Sequence, residues 1–165
     1  MAFRYLLIVW VILAASGFSA QADELVLDKL RLDRNISLGD SACDELMYID
    51  KDKDVYNMRG FPCFERTGKY TLTLDASPGT LVTLYGESEF GKNNGFLILK
   101  KIDDQPLWIL DLENVSAGSW THKAKTRDSG AYEAFYRPAP LFKENIASIQ
   151  WGKWWTDGIP KPTVR

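Results

Sequence analysis

The chain holds 165 residues, with 20 Lys and Arg against 22 Asp and Glu, a formal net charge of −2 and 45% hydrophobic residues. That balance lacks the basic excess that drives counterion release from nucleic acid, and no Lys/Arg-rich run marks a membrane-surface patch, which sets nucleic acid aside as a partner. The length fits one domain that buries about two thirds of its unfolded surface without a metal or a dense disulfide framework.

Residues 1–22 read as a secretory signal peptide. Arg4 supplies the positive n-region, Tyr5–Ala15 is uninterrupted apolar, and Ala20-Gln21-Ala22 gives the small-x-small pattern of a cleavage site. The rival is an uncleaved anchor, but the apolar run falls short of the about 20 residues that span a bilayer. The mature chain is expected to begin near Asp23, to be secreted or periplasmic, and to insert stably in no membrane. Cys43 and Cys63 are the only cysteines. In an exported protein they are expected to form one disulfide, worth about 3 kcal/mol in the chain-entropy picture for a loop of roughly 20 residues. Two separate buried thiols are the alternative, and their spacing is far from the C-x-x-C of a redox pair.

Beyond the signal, short apolar runs alternate with turn residues. The expected strands are Glu24–Leu32, Lys69–Leu74, Thr80–Tyr85, Gly95–Ile102, Pro106–Leu112, Ala131–Tyr136 and Ile146–Trp151. Tyr70, Leu72 and Leu74 alternate with Thr71 and Thr73, the period of a half-buried strand. Phe96-Leu97-Ile98-Leu99 is apolar on both faces and suits a central strand. Asp75–Gly79, Lys92–Gly95, Asp103-Asp104 and Asp128–Gly130 carry turn chemistry. Ser41–Tyr48 has room for one short helix. The expectation is an all-β, antiparallel Greek-key sandwich or barrel of about seven to nine short strands with little helix. It forms a single domain over 23–155, and a flexible tail over 156–165 carries Pro160 and Pro162.

Two fragments look like pieces of a known motif. Leu81–Gly91 (LVTLYGESEFG) resembles the opening strand and aromatic corner of a βγ-crystallin Greek-key motif, with Tyr85 and Phe90 in the aromatic positions. Phe142–Trp151 resembles the closing strand, with Ser148 near its serine. The pattern departs at Lys92, where glycine is expected and Gly91 stands one place early, and at Lys143 and Glu144, where the calcium signature has paired Asn/Asp. The resemblance implies a Greek-key β fold with a degraded calcium site, and no activity.

No residue is nominated as catalytic. His122 is the sole histidine and sits in a polar stretch that reads as an exposed loop or strand end. No G-x-S-x-G elbow accompanies it, and one histidine without a thiolate cluster does not make a zinc site. Asp50, Asp52 and Asp54 open with calcium-loop spacing, but Val55 and Phe61 stand where that loop needs glycine and glutamate. The motifs point to no cofactor and no metal.

The aromatics are more informative. Trp108, Trp120, Trp151, Trp154 and Trp155 follow the signal, three of them within five residues. In a strand Trp154 and Trp155 would face opposite ways. An exposed indole suits stacking on sugar rings or anchoring a protein interface, and a buried one adds core area. The candidate binding residues are Trp151, Trp154, Trp155, Tyr85 and Phe90, with specificity placed in the loops 43–63 and 86–95. The sequence reading is an exported, non-enzymatic binding domain for a protein or polysaccharide. The alternatives are a structural envelope or matrix component and a small secreted hydrolase using paired carboxylates.

Overall fold

A computed structural model describes residues 29–35, 48–61, 68–155 and 159. Residues 1–22, expected to be a signal peptide, most of the 41–48 helix expectation, most of the 156–165 stretch, and both Cys43 and Cys63 lie outside the described residues. Nine strands form in chain order: β1 Lys29–Asn35, β2 Tyr48–Asp50, β3 Lys69–Asp75, β4 Leu81–Tyr85, β5 Phe96–Lys101, β6 Leu107–Ile109, β7 Trp120–Lys123, β8 Tyr132–Arg137 and β9 Ser148–Trp151. Among the described residues helix is confined to single 3-10 turns at Met58–Gly60, Ser88–Phe90 and Phe142–Glu144.

The strands make an all-β sandwich of two antiparallel sheets. One has the order β2-β1-β3-β6, the other β7-β8-β5-β4-β9. In the larger sheet β9, the last strand among the described residues, pairs with β4, the first strand of that sheet, and β8 pairs with β5. The apolar run of β5 occupies the middle position, and its neighbours pair on both edges, Leu97 opposite Leu84 and Tyr136.

Side-chain alternation decides what each face covers. Leu30, Leu32, Tyr70, Leu72 and Leu74 of the smaller sheet meet Val82, Leu84, Leu97, Leu99 and Ile149 of the larger one in a single buried core. Trp151, the last residue of β9, belongs to that core. β6 is shorter than the expected 106–112 strand because the chain bends at Leu110 after pairing Ile109 with Leu72, yet Leu112 returns to the core. β2 and β7 are strands the residue pattern did not announce. β2 is too short to establish a period, and β7 (WTHK) is an edge strand of mostly polar residues.

One end of the sandwich is closed by a polar knot. Lys101 ends β5 fully buried, and its Nζ donates to the backbone carbonyls of Asp103, at 2.6 Å, and Gln105. The Asp103 carboxylate accepts the N–H of Ala131 at 2.9 Å and of Gln105 at 3.2 Å. Gly130 allows this approach, since a Cβ there would lie 2.3 Å from the Gln105 carbonyl oxygen. The Ala131 N–H is the main reason the Asp103 carboxyl stays below its ordinary pKa of 3.8. A carboxyl lowered by folding stabilises above its unfolded value and loses that contribution as pH falls through the folded one. Asp103→Asn should therefore lower the melting temperature at pH 7, and its gap from the parent chain should narrow in melts run toward about pH 2.

Candidate functional site

The two outer faces of the sandwich are finished differently. On the larger sheet the outward positions are Leu81, Thr83 and Tyr85 of β4, Phe96 and Ile98 of β5, Phe135 of β8 and Trp120 of β7. They are mostly apolar, so they need cover. It comes from the chain just past β9, which turns at Gly152 in the left-handed region (φ 75°). A β-carbon disfavours that conformation.

Trp154 then lies against Tyr85 and Phe96, ring centroids 5.7 and 5.6 Å apart, and its indole N–H donates to Thr83 Oγ1 at 2.7 Å. The Lys92 ammonium stands 4.0 Å over the same indole, close enough for a cation–π contact. Trp155 is only 5% exposed, between Trp154 and Trp120 at 5.8 and 6.0 Å. Ile159, half-buried, packs on the same cluster. The two neighbouring indoles thus share one face, because past Gly152 the chain is irregular and the alternation of a strand no longer applies.

Of the five sequence candidates, Tyr85, Phe90, Trp154 and Trp155 come together in this layer, while Trp151 points through the sheet into the core. Tyr85, Trp151 and Trp155 are buried; Phe90 and Trp154 are half-buried. The Tyr85 hydroxyl donates to Gln150 Oε1 at 2.9 Å, and burial pushes its phenol well above the ordinary tyrosine range.

The connection 86–95 folds back onto the layer. Ser148 Oγ donates to the Glu87 carbonyl at 2.6 Å and accepts the Phe90 N–H at 3.1 Å. Glu89 and Phe90 both take positive φ, 57° and 60°. Phe90 is wedged between Tyr56 and Tyr85, at 4.6 and 5.6 Å. Tyr85, Phe90 and Ser148, the positions on which the family resemblance rests, therefore meet. Gly91 provides the close approach in this loop: a Cβ there would lie 2.3 Å from the Glu87 carboxylate.

The outer face of the smaller sheet is open among the described residues. Register aligns Tyr48 with Arg31, Arg31 with Thr73 and Thr73 with Trp108, one row across all four strands. Tyr48 and Trp108, at its two ends, are 47% and 49% exposed. Lys29 and Arg31 flank the Tyr48 ring at 6.0 and 5.9 Å. The adjacent row runs Asp50, Lys29, Asp75, and Asp50 is held below its ordinary pKa by a 2.6 Å hydrogen bond from Lys53. Neither Tyr48 nor Trp108 was among the sequence candidates. The signal for Trp108 was present, since it lies between Leu107 and Ile109 and alternation puts it opposite those core residues.

Elsewhere the candidate chemistry disperses. His122 is exposed on the edge strand β7, opposite Glu133. Asp54 accepts the backbone N–H of Trp151 at 2.8 Å, whereas Asp50 binds Lys53, so these two of the calcium-spaced carboxylates have separate partners. Glu113 accepts from Tyr136 at 3.3 Å and pairs with Lys143 at 2.6 Å. Burial is the main cause that raises the Tyr136 phenol to about 12, so it stays neutral and acts as a hydrogen-bond donor. Among the described residues no group of three or more His, Cys, Asp and Glu is placed to hold a metal ion.

No protein family matches the chain, and neither a curated protein nor a solved structure matches it.

If the Trp154–Trp155 layer is structural, truncating its sealed member should cost far more than truncating an indole on the open face. Trp155→Ala should lower unfolding stability by about 3–5 kcal/mol. Trp108→Ala should lower it by less than about 1 kcal/mol. Urea denaturation of both variants checks the contrast.

Proposed function

We propose that this chain is an exported, non-enzymatic binding domain whose working surface is the open face of the smaller sheet. The single observation behind this reading is the contrast between the two outer faces. One is sealed by Trp154 and Trp155, and the other leaves Tyr48 and Trp108 half exposed on its two edge strands. Aromatic side chains on a rigid sheet offer contact area at little entropic cost, which suits a binding surface. The ligand is a protein or a glycan. Export rests on the features of residues 1–22. The meeting of Tyr85, Phe90 and Ser148 supports the βγ-crystallin resemblance, which carries a fold and no activity.

The full-length chain, expressed with its own N-terminus, should be recovered from the exported fraction beginning near Asp23. Used as bait against native envelope and secreted fractions, it should retain a saturable ligand that the Tyr48→Ala/Trp108→Ala double variant does not. Recovery from the cytoplasm with Met1 intact would count against export. Equal retention by both forms would count against the face.

A further inference from the structure

We propose that the outer face of the larger sheet also receives the 152–155 segment of a second copy, so that two chains exchange covers and dimerise. This interface is separate from the open face of the smaller sheet and does not depend on what that face binds.

The occupant is read from the seat itself. The face is apolar except for Thr83, which is fully buried and whose hydroxyl accepts the Trp154 indole N–H at 2.7 Å. Tyr85 and Phe96 flank the same indole, and the Lys92 ammonium covers it at 4.0 Å. Trp155 packs beside Trp120. Uncovered, this face would present a contiguous aromatic surface to water, so it calls for an occupant. The two indoles of a neighbouring copy match every one of these contacts, because their segment is identical.

The segment is attached in a way that allows the exchange. Among the described residues its only backbone hydrogen bond runs from the Gly152 N–H to the Leu81 carbonyl, at 2.9 Å. The rest of its hold is side-chain contact. The Trp155 indole N–H, buried without an acceptor among the described residues, regains water whenever the segment lifts. No strand follows the segment among the described residues, so its departure breaks no sheet pairing there.

The hinge is Gly152, exposed and at φ 75°. A Cβ there would meet nothing within 4 Å, so alanine at this position acts only through the backbone. Residues with a Cβ disfavour that conformation, and the closed single chain requires it. In an exchanged pair the hinge spans two molecules and is released to an ordinary negative φ. Exchange of an identical element needs no new contact surface.

Gly152→Ala therefore probes the hinge selectively, with Gly79→Ala as its control. Gly79 also has a positive φ, 85°, and open space for a Cβ, but it lies in the turn between β3 and β4. Size-exclusion chromatography with light scattering over a concentration series reads the dimer, and near-UV circular dichroism checks that each variant is folded. The parent chain should give a concentration-dependent dimer. Gly152→Ala should raise its association constant at least about tenfold, since each dimer relieves two hinges. Gly79→Ala should leave the constant unchanged. In a dimer mixed from isotope-labelled and unlabelled chains, filtered NOE spectra should place Trp154 ring protons against Tyr85 or Phe96 of the other copy. If Gly152→Ala does not fold, the parent dimer and its NOE contacts decide the question. A monomer at every concentration in both forms overturns the proposal. So does a dimer that Gly79→Ala strengthens equally, or one whose Trp154 contacts all stay within a single chain.

Discussion

The central strands of the larger sheet are apolar on both sides. Phe96, Leu97, Ile98 and Leu99 succeed one another on β5, and all are buried. Alternation divides them, Leu97 and Leu99 into the core shared with the smaller sheet, Phe96 and Ile98 onto the opposite face. A two-layer sandwich covers only one face of each sheet, so the second face of this one needs a cover of its own. The chain past β9 supplies it. Gly152 turns the backbone, Trp154 is fixed by Thr83 and Lys92, and Trp155 fills the space beside Trp120.

The two outer faces are finished differently as a result. The larger sheet, with Trp154 and Trp155 packed against its outer side, has its aromatic groups engaged in holding the fold. The connection 86–95 is part of that arrangement rather than a free loop, because Ser148, Asn145 and Tyr56 all bind its backbone. The smaller sheet needs no such cover. Its outward positions on β1 and β3 are charged or hydroxylated, Lys29, Arg31, Thr71 and Thr73, and the aromatic residues of that outer face, Tyr48 and Trp108, sit on the short edge strands. A polar centre bordered by two half-exposed rings is stable in water.

Most of the architecture was legible in the residues because burial imposes a period. β3 alternates cleanly, which marks a half-buried strand, and the first four residues of β5 are all apolar, which marks a strand covered on both faces and so the middle one of five. β2 and β7 escaped because three or four residues with half-exposed sides leave no period to read. The binding candidates were harder. Indole density drew attention to 151–155, but density does not distinguish a ligand platform from a seal, and Trp154 and Trp155 lie outside any strand, where alternation says nothing. Trp108 was readable from Leu107 and Ile109 on either side. Tyr48 was not, since its partnership with Arg31 depends on a pairing between segments far apart in sequence.

Hydroxyl-radical footprinting of the native chain, read residue by residue by mass spectrometry, tests the division between a sealed and an open face most directly. The account predicts rapid modification of Tyr48 and Trp108 with strong protection of Tyr85, Trp151 and Trp155. Labelling of Tyr85 or Trp155 as fast as Trp108 would contradict it, because the outer face of the larger sheet would then be open to solvent rather than closed by the chain past β9.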